Sequence, residues 1–149
     1  MTTKILIVDD DTMLVAMLEK ILHTQPYQIS TAYSGEEALD QVRQAKPDLI
    51  VLDIMMPGMD GYEVCERLKS DPATADIPVL ILSAKGNIDM PRLDKEQFET
   101  NLKDRLHGYE VGAIDFLSKP VGIKELLKHI QFLLWTGDCE NEHDPNSDN

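Results

Sequence analysis

The 149-residue chain is poor in basic side chains, aromatics, cysteines and long apolar runs. Fourteen Lys and Arg stand against 27 Asp and Glu, a formal charge of −13. Such an excess repels a phosphate backbone, so nucleic acid is not expected as a direct ligand. The two cysteines, Cys65 and Cys139, have neither the number nor the spacing of a disulfide framework or a zinc site. Cys65 shares an apolar helical face with Val64 and Leu68, where packing is its expected role. His23, His107, His129 and His143 are scattered, without metal-ligand spacing. No apolar run nears the roughly eighteen residues of a membrane span. Met1-Thr2-Thr3-Lys4 leads into a strand-like run in place of a signal peptide. A cytoplasmic protein without membrane contact is the expectation.

The acidity is uneven. Asp138, Glu140, Glu142, Asp144 and Asp148 fall in the last dozen residues without a Lys or Arg, which leaves −8 for the remainder. That polar, Pro-containing end reads as a disordered acidic tail over 138–149. Residues 1–137 suit one domain, since a chain of this length buries about 68 to 70% of its unfolded surface.

Five short apolar runs recur: 5–8, 29–32, 49–52, 79–82 and 114–117. Each is too short for a helix, and stretches of helical periodicity alternate with them. Met13, Met17, Leu18, Ile21 and Leu22 follow the first. After the second, Ser34 precedes Glu37 by three positions as in a capping box, ahead of Ala38, Leu39 and Val42. Val64, Cys65 and Leu68 follow the third; Ile123, Leu126, Leu127, Ile130, Leu133 and Leu134 follow the last. Alternation of this kind implies a doubly wound α/β fold, a parallel sheet covered on both faces. The continuous first, third and fourth runs suit central strands, whereas the mixed second run suits an edge. In such sheets the ligand site lies beyond the carboxyl ends of the strands.

At those ends stand Asp9, Asp10 and Asp11 after the first run, Asp53 after the third, Ser83 after the fourth and Lys119 after the fifth. Gathered carboxylates repel by roughly 4 kcal/mol per pair at about 4 Å and an effective dielectric of 20, so the crevice requires a cation. Oxygen ligands without nearby Cys or His favour a hard ion such as Mg²⁺. Lys119 adds a point charge for a phosphoryl oxygen and Ser83 a hydroxyl. Together these groups describe phosphoryl transfer to an Asp nucleophile. Asp11 is read as a helix cap.

The stretches ILIVDDD at 5–11, LIVLDIMMPGMDGYEV at 49–64, VLILSA at 79–84 and DFLSKP at 115–120 resemble the response regulator receiver domain of two-component signalling. The likeness runs from Lys4 to about Leu134. It implies a flavodoxin-like (βα)5 fold with strand order 2-1-3-4-5. It makes Asp53 the phosphoacceptor for a histidine kinase or histidine phosphotransfer protein. It assigns Mg²⁺ to Asp9, Asp10, Asp53 and the main-chain carbonyl of Met55. Lys119 would pair with the phosphoryl group, Ser83 and Phe116 would form the switch, and the Lys119–Pro120 bond would be cis. Catalysis would be confined to the domain's own phosphorylation and dephosphorylation, with Met55 and Lys85 affecting the latter rate.

One departure from the family pattern stands out. Ser83 and Lys119 are 36 positions apart, wider than is usual in the family, and the excess points to an insertion around 86–100. Asp94 and Gln97 resemble a cap, and Phe98, Leu102, Leu106 and Tyr109 follow helical spacing up to Gly112. An enlarged fourth helix is expected there, with balanced charges that suit a solvated face. The sharper reading makes it a surface for a downstream protein or a homodimer. The resemblance places output on the fourth helix, fifth strand and fifth helix. No output module follows in the sequence, which fits a stand-alone relay or part of a longer chain. Two rival readings call for residues that this sequence lacks. An aspartyl-phosphate-forming phosphohydrolase would carry a second acid two residues after Asp53, where Met55 stands. A nucleotide-binding module would carry a Gly-rich turn after the first strand.

Overall fold

The computed structural model describes residues 2–84 and 114–142. Five strands, β1 (Thr3–Val8), β2 (Tyr27–Ala32), β3 (Leu49–Asp53), β4 (Val79–Ala84) and β5 (Ile114–Lys119), pair in parallel in the order 2-1-3-4-5. Helices α1 (Thr12–Leu22), α2 (Gly35–Gln44) and α3 (Gly61–Lys69) and a C-terminal helix (Ile123–Glu142) complete the described residues. This is the doubly wound flavodoxin-like arrangement, with β1, β3 and β4 central and the mixed β2 at an edge. The expected 86–100 insertion and the enlarged fourth helix lie outside the described residues, as does Lys85.

Side chains alternate across a strand, and that alternation builds two cores. Ile5, Ile7, Leu49, Val51, Leu80 and Leu82 face α1 and the C-terminal helix. Leu6, Val8, Ile50, Leu52, Val79 and Ile81 face α2 and α3. Every residue of β3 is buried, and the strand is paired with β1 as far as Leu52 and with β4 as far as Asp53, which gives the polar group at its end a rigid mount.

The helix starts are chemically marked. Asp11 caps α1, its Oδ1 accepting from the Met13 and Leu14 amides at 3.1 and 3.2 Å. Ser34 Oγ accepts from the Glu37 amide at 3.1 Å, while Glu37 Oε1 reaches back to the Tyr33 amide at 3.0 Å, one residue before the cap. Asp60 caps α3 through the Glu63 amide at 2.9 Å. Each such cap is worth about 1 kcal/mol.

Three details differ from the sequence reading. Met13 and Met17 are 80% and 47% exposed, and Val15, Leu18 and Leu22 form the buried stripe of α1 instead. Both methionines sit two positions from Val15, about 160° around the helix, so one face cannot hold all three. Ile123 is exposed because it occupies the first position of the C-terminal helix, before the turn that packs on Leu126 and Ile130. Helical backbone continues to Glu142, five residues into the stretch assigned to the 138–149 tail. Extending an existing helix costs far less than nucleating one, and the polar residues 138–142 include no proline.

A buried charge also emerges. Lys69, the last residue of α3, is fully buried, and its Nζ donates to the carbonyls of Ala75 at 3.0 Å and Ile77 at 2.5 Å. It thereby ties the end of α3 to the chain entering β4. Burial pushes its pKa down to about 8, against the opposing influence of Cys65 and Asp76.

Candidate phosphoryl-acceptor site

Asp53 ends β3 and Asp9 follows β1, and at 3% and 2% exposed both are almost wholly buried. Lys119 ends β5 and reaches across the strand tips. Its Nζ stands 2.6 Å from Asp53 Oδ1 and 3.3 Å from Asp9 Oδ2. Asp10 is exposed at the mouth, and one oxygen from each of Asp9, Asp10 and Asp53 falls within 4.8 Å of the others. The sheet thus brings four residues from three distant stretches to one point. Asp9 is fixed further by accepting the Asp11 amide at 3.0 Å, which links it to the cap of α1.

The electrostatics follow from this packing. Burial raises the pKa of Asp53, the hydrogen bond from Lys119 opposes it, and the charge of Asp9 adds to it. Burial likewise raises Asp9, partly offset by the Asp11 amide and by Lys119. For Lys119 burial acts downward, yet the carboxylates of Asp53 and Asp9 outweigh it and the net shift is upward. The two partners of the 2.6 Å pair therefore differ: the ammonium gains from its surroundings and the carboxylate does not. The reason is that Lys119 meets two opposite charges, whereas Asp53 meets one opposite and two like charges in a drier place.

Three carboxylates and one ammonium sum to −2. At 4.8 Å each carboxylate pair repels by about 3 to 4 kcal/mol at an effective dielectric of 20. An all-oxygen donor set of this charge and spacing fits a hard divalent cation such as Mg²⁺.

Ser83 and Met55 sit at the same end, and Phe116 lies further back, opposite Ile81. Ser83 lies one position beyond the Asp53–Leu82 pairing, half-buried on β4. Phe116 on β5 is half-buried and packs against the core on the α2 and α3 side. Met55, two residues past Asp53, has a 48% exposed side chain. The Lys119–Pro120 peptide is cis, as the resemblance implied.

Two features had no role in the sequence reading. The Gly61 amide donates to the Ile54 carbonyl at 2.8 Å. A Cβ there would strike the Asp53 carbonyl oxygen and stand 2.7 Å from Ile54 Cα. Only glycine lets the start of α3 press against the backbone that carries Asp53. Gly58, at φ +77°, makes the preceding turn. The Asp60-Gly61 pair before an apolar helix was the available signal, readable as a cap but not as a close approach. The second feature is Asp115, whose Oδ2 lies 2.6 Å from His129 Nδ1 and whose Oδ1 accepts the Phe116 amide at 2.8 Å. Pairing across 14 residues leaves no local trace in sequence.

Residues 5–93 match the response regulator receiver domain. The chain belongs to that family. This receiver domain is 41% identical over 133 residues to the response regulator PleD of Caulobacter vibrioides, covering 89% of the chain and 26% of PleD. It is 37% identical over 131 residues to the DNA-binding dual master transcriptional regulator RpaA of Synechocystis, covering 88% of the chain and 48% of RpaA. The chain thus spans between about a quarter and a half of the length of such relatives. Among solved structures, a putative response regulator from Chloroflexus aurantiacus is 35% identical with a TM-score of 0.73, over 90% of this chain and 98% of that one. The chemotaxis protein CheY4 of Vibrio cholerae matches at 27% identity and a TM-score of 0.70, over 89% and 99%. No helix among the described residues is long and apolar enough to cross a membrane.

Proposed function

We propose that this receiver domain accepts a phosphoryl group on Asp53 from a histidine kinase or histidine phosphotransfer protein and thereby switches its binding to a downstream partner. The observation that carries the reading is the Lys119 ammonium lodged 2.6 and 3.3 Å from two buried aspartates at the carboxyl ends of separate strands. A surface lysine has no reason to enter such a place, while a phosphoryl acceptor needs a cation beside its nucleophile.

In the transfer, an Asp53 carboxylate oxygen bonds to phosphorus as the P–N bond to the donor imidazole breaks, and the nitrogen leaves with its electron pair. Strand pairing on both sides of β3 holds Asp53 still, and burial keeps water away from the resulting acyl phosphate. Asp9, Asp10, Asp53 and the carbonyl of Met55 would hold Mg²⁺, which would supply positive charge to offset that of the phosphoryl oxygens. Lys119 remains beside Asp53 and bonds one phosphoryl oxygen, and Ser83 donates its hydroxyl to another. Phosphorylation replaces a carboxylate of −1 by a group of about −1.5 to −2, so the local charge becomes more negative by about 0.5 to 1 unit. That favours a packing in which Ser83 moves toward the site and Phe116 turns inward behind it. The signal leaves through the face formed by β5, the C-terminal helix and the helix expected within 86–112.

Incubation with acetyl phosphate or phosphoramidate and Mg²⁺ tests this by intact mass. The wild type should gain one phosphoryl mass and Asp53→Asn none. Equal modification of both proteins would place the acceptor elsewhere.

A further inference from the structure

The carboxylate of Asp115 makes two bonds in two directions. One oxygen accepts the amide of Phe116, the aromatic next to it on β5, and the other lies 2.6 Å from His129 Nδ1 on the C-terminal helix. An ionised carboxylate can only accept, so the ring proton sits on Nδ1. Side-chain exposures of 31% for His129 and 21% for Asp115 leave the bond partly shielded from water, where it is stronger than a surface contact. Alternation along β5 explains the placement. Phe116 faces the core of α2 and α3, whereas Asp115 and Leu117 face the opposite side, where Leu117 packs in the cluster that includes Ile130 and Leu133. β5 is an edge strand, so its backbone is less constrained than that of β1 or β3.

We propose that Asp115 and His129 are positioning residues that couple the backbone of Phe116 to the C-terminal helix. This rests on the receiver reading above, in which Phe116 answers phosphorylation. A displacement of β5 at Phe116 pulls on the Asp115 carboxylate, and the short bond to His129 carries the pull to the helix. Beside it, Leu117 of β5 packs in the same apolar cluster as Leu126, Ile130 and Leu133 of the helix, a contact that slides at little cost.

Two measurements test the coupling. The first uses no phosphoryl donor: amide exchange at Phe116 should be slow in the wild type and faster on the order of ten-fold in Asp115→Ala, with a smaller change in His129→Ala. The second uses Trp135, the chain's one tryptophan, which is exposed six positions beyond His129 on the same helix. On labelling with acetyl phosphate and Mg²⁺, the emission of Trp135 should shift in the wild type. In His129→Ala the shift should fall by roughly half or more while the labelled fraction by intact mass stays within about two-fold. His129→Asn, whose amide nitrogen falls near the position of Nδ1, should restore most of the shift, which a loss of general stability would not explain. Equal shifts in wild type and His129→Ala at equal labelling would overturn the coupling, as would unchanged Phe116 exchange in Asp115→Ala. Absence of label in the wild type would instead overturn the receiver reading and the inference with it.

Discussion

Replacing Lys69 by Met should change how the stability of the domain depends on pH. Lys69 is fully buried, and its pKa is pushed down to about 8 from 10.5 in an unfolded chain. Between these values the unfolded chain holds a proton that the folded chain has lost, so stability rises with pH. Below pH 8 both states are protonated and the full burden of a buried ammonium is felt; above 10.5 neither is, and it is gone. Integrated from pH 7.5 to 9.5, the group contributes a gain of about 2 kcal/mol. For a chain of this size that corresponds to a rise of roughly 4 to 8 °C in Tm. Tyr27 and Tyr62, whose pKa values burial raises above 10.0, titrate above this window, and so does Lys119. Lys69→Met keeps the apolar stem and deletes the ionisation, so its own stability matters less than the difference in slope. Urea unfolding of both proteins at several pH values across the window reads that difference. Parallel curves would refute the link between the fully buried ammonium and the stability of the fold.

Further predictions concern the site. Asp53→Asn should unfold at higher urea than the wild type at pH 7 without divalent metal. Burial raises the Asp53 pKa above 3.8, so the ionised form detracts from stability as pH climbs past that value, and the gain should vanish near pH 3. Added Mg²⁺ should raise the Tm of the wild type, reaching about 2.7 kcal/mol of stabilisation at a hundred times its dissociation constant, and Asp10→Asn should blunt the response in differential scanning fluorimetry. Gly61→Ala should lose about 1 to 3 kcal/mol in chemical denaturation, because the added methyl drives α3 away from the Asp53 backbone. It should also slow labelling by acetyl phosphate. Normal stability with normal labelling would mean that the loop relaxes freely.

The fold was legible because its cues are local. Continuous apolar runs mark β1, β3 and β4, Asp11 and Ser34 announce their helices, and the alternation leaves a doubly wound sheet as the natural arrangement. Asp9, Asp53 and Lys119 were readable together only because such a sheet brings its strand ends to one edge, where Lys119 stands 2.6 and 3.3 Å from the two carboxylates. Met13 and Met17 were misplaced because hydrophobicity names residues that could be buried, while the helix rotation selects Val15, Leu18 and Leu22. Lys69 and the Asp115–His129 pair were invisible for a different reason. Lysine and histidine are read from sequence as exposed polar residues, and only the packing of a loop or a helix reveals the carbonyl or carboxylate that receives them.

The span of Lys119 between Asp53 and Asp9 has a consequence for the life of the molecule. A chain that carries its own counter-ion on β5 can finish folding before any dissolved ion reaches the crevice. On the function proposed above, ionic supply would then set when the domain is ready to receive a signal, so a cell short of magnesium would hold a stock of folded but silent receivers.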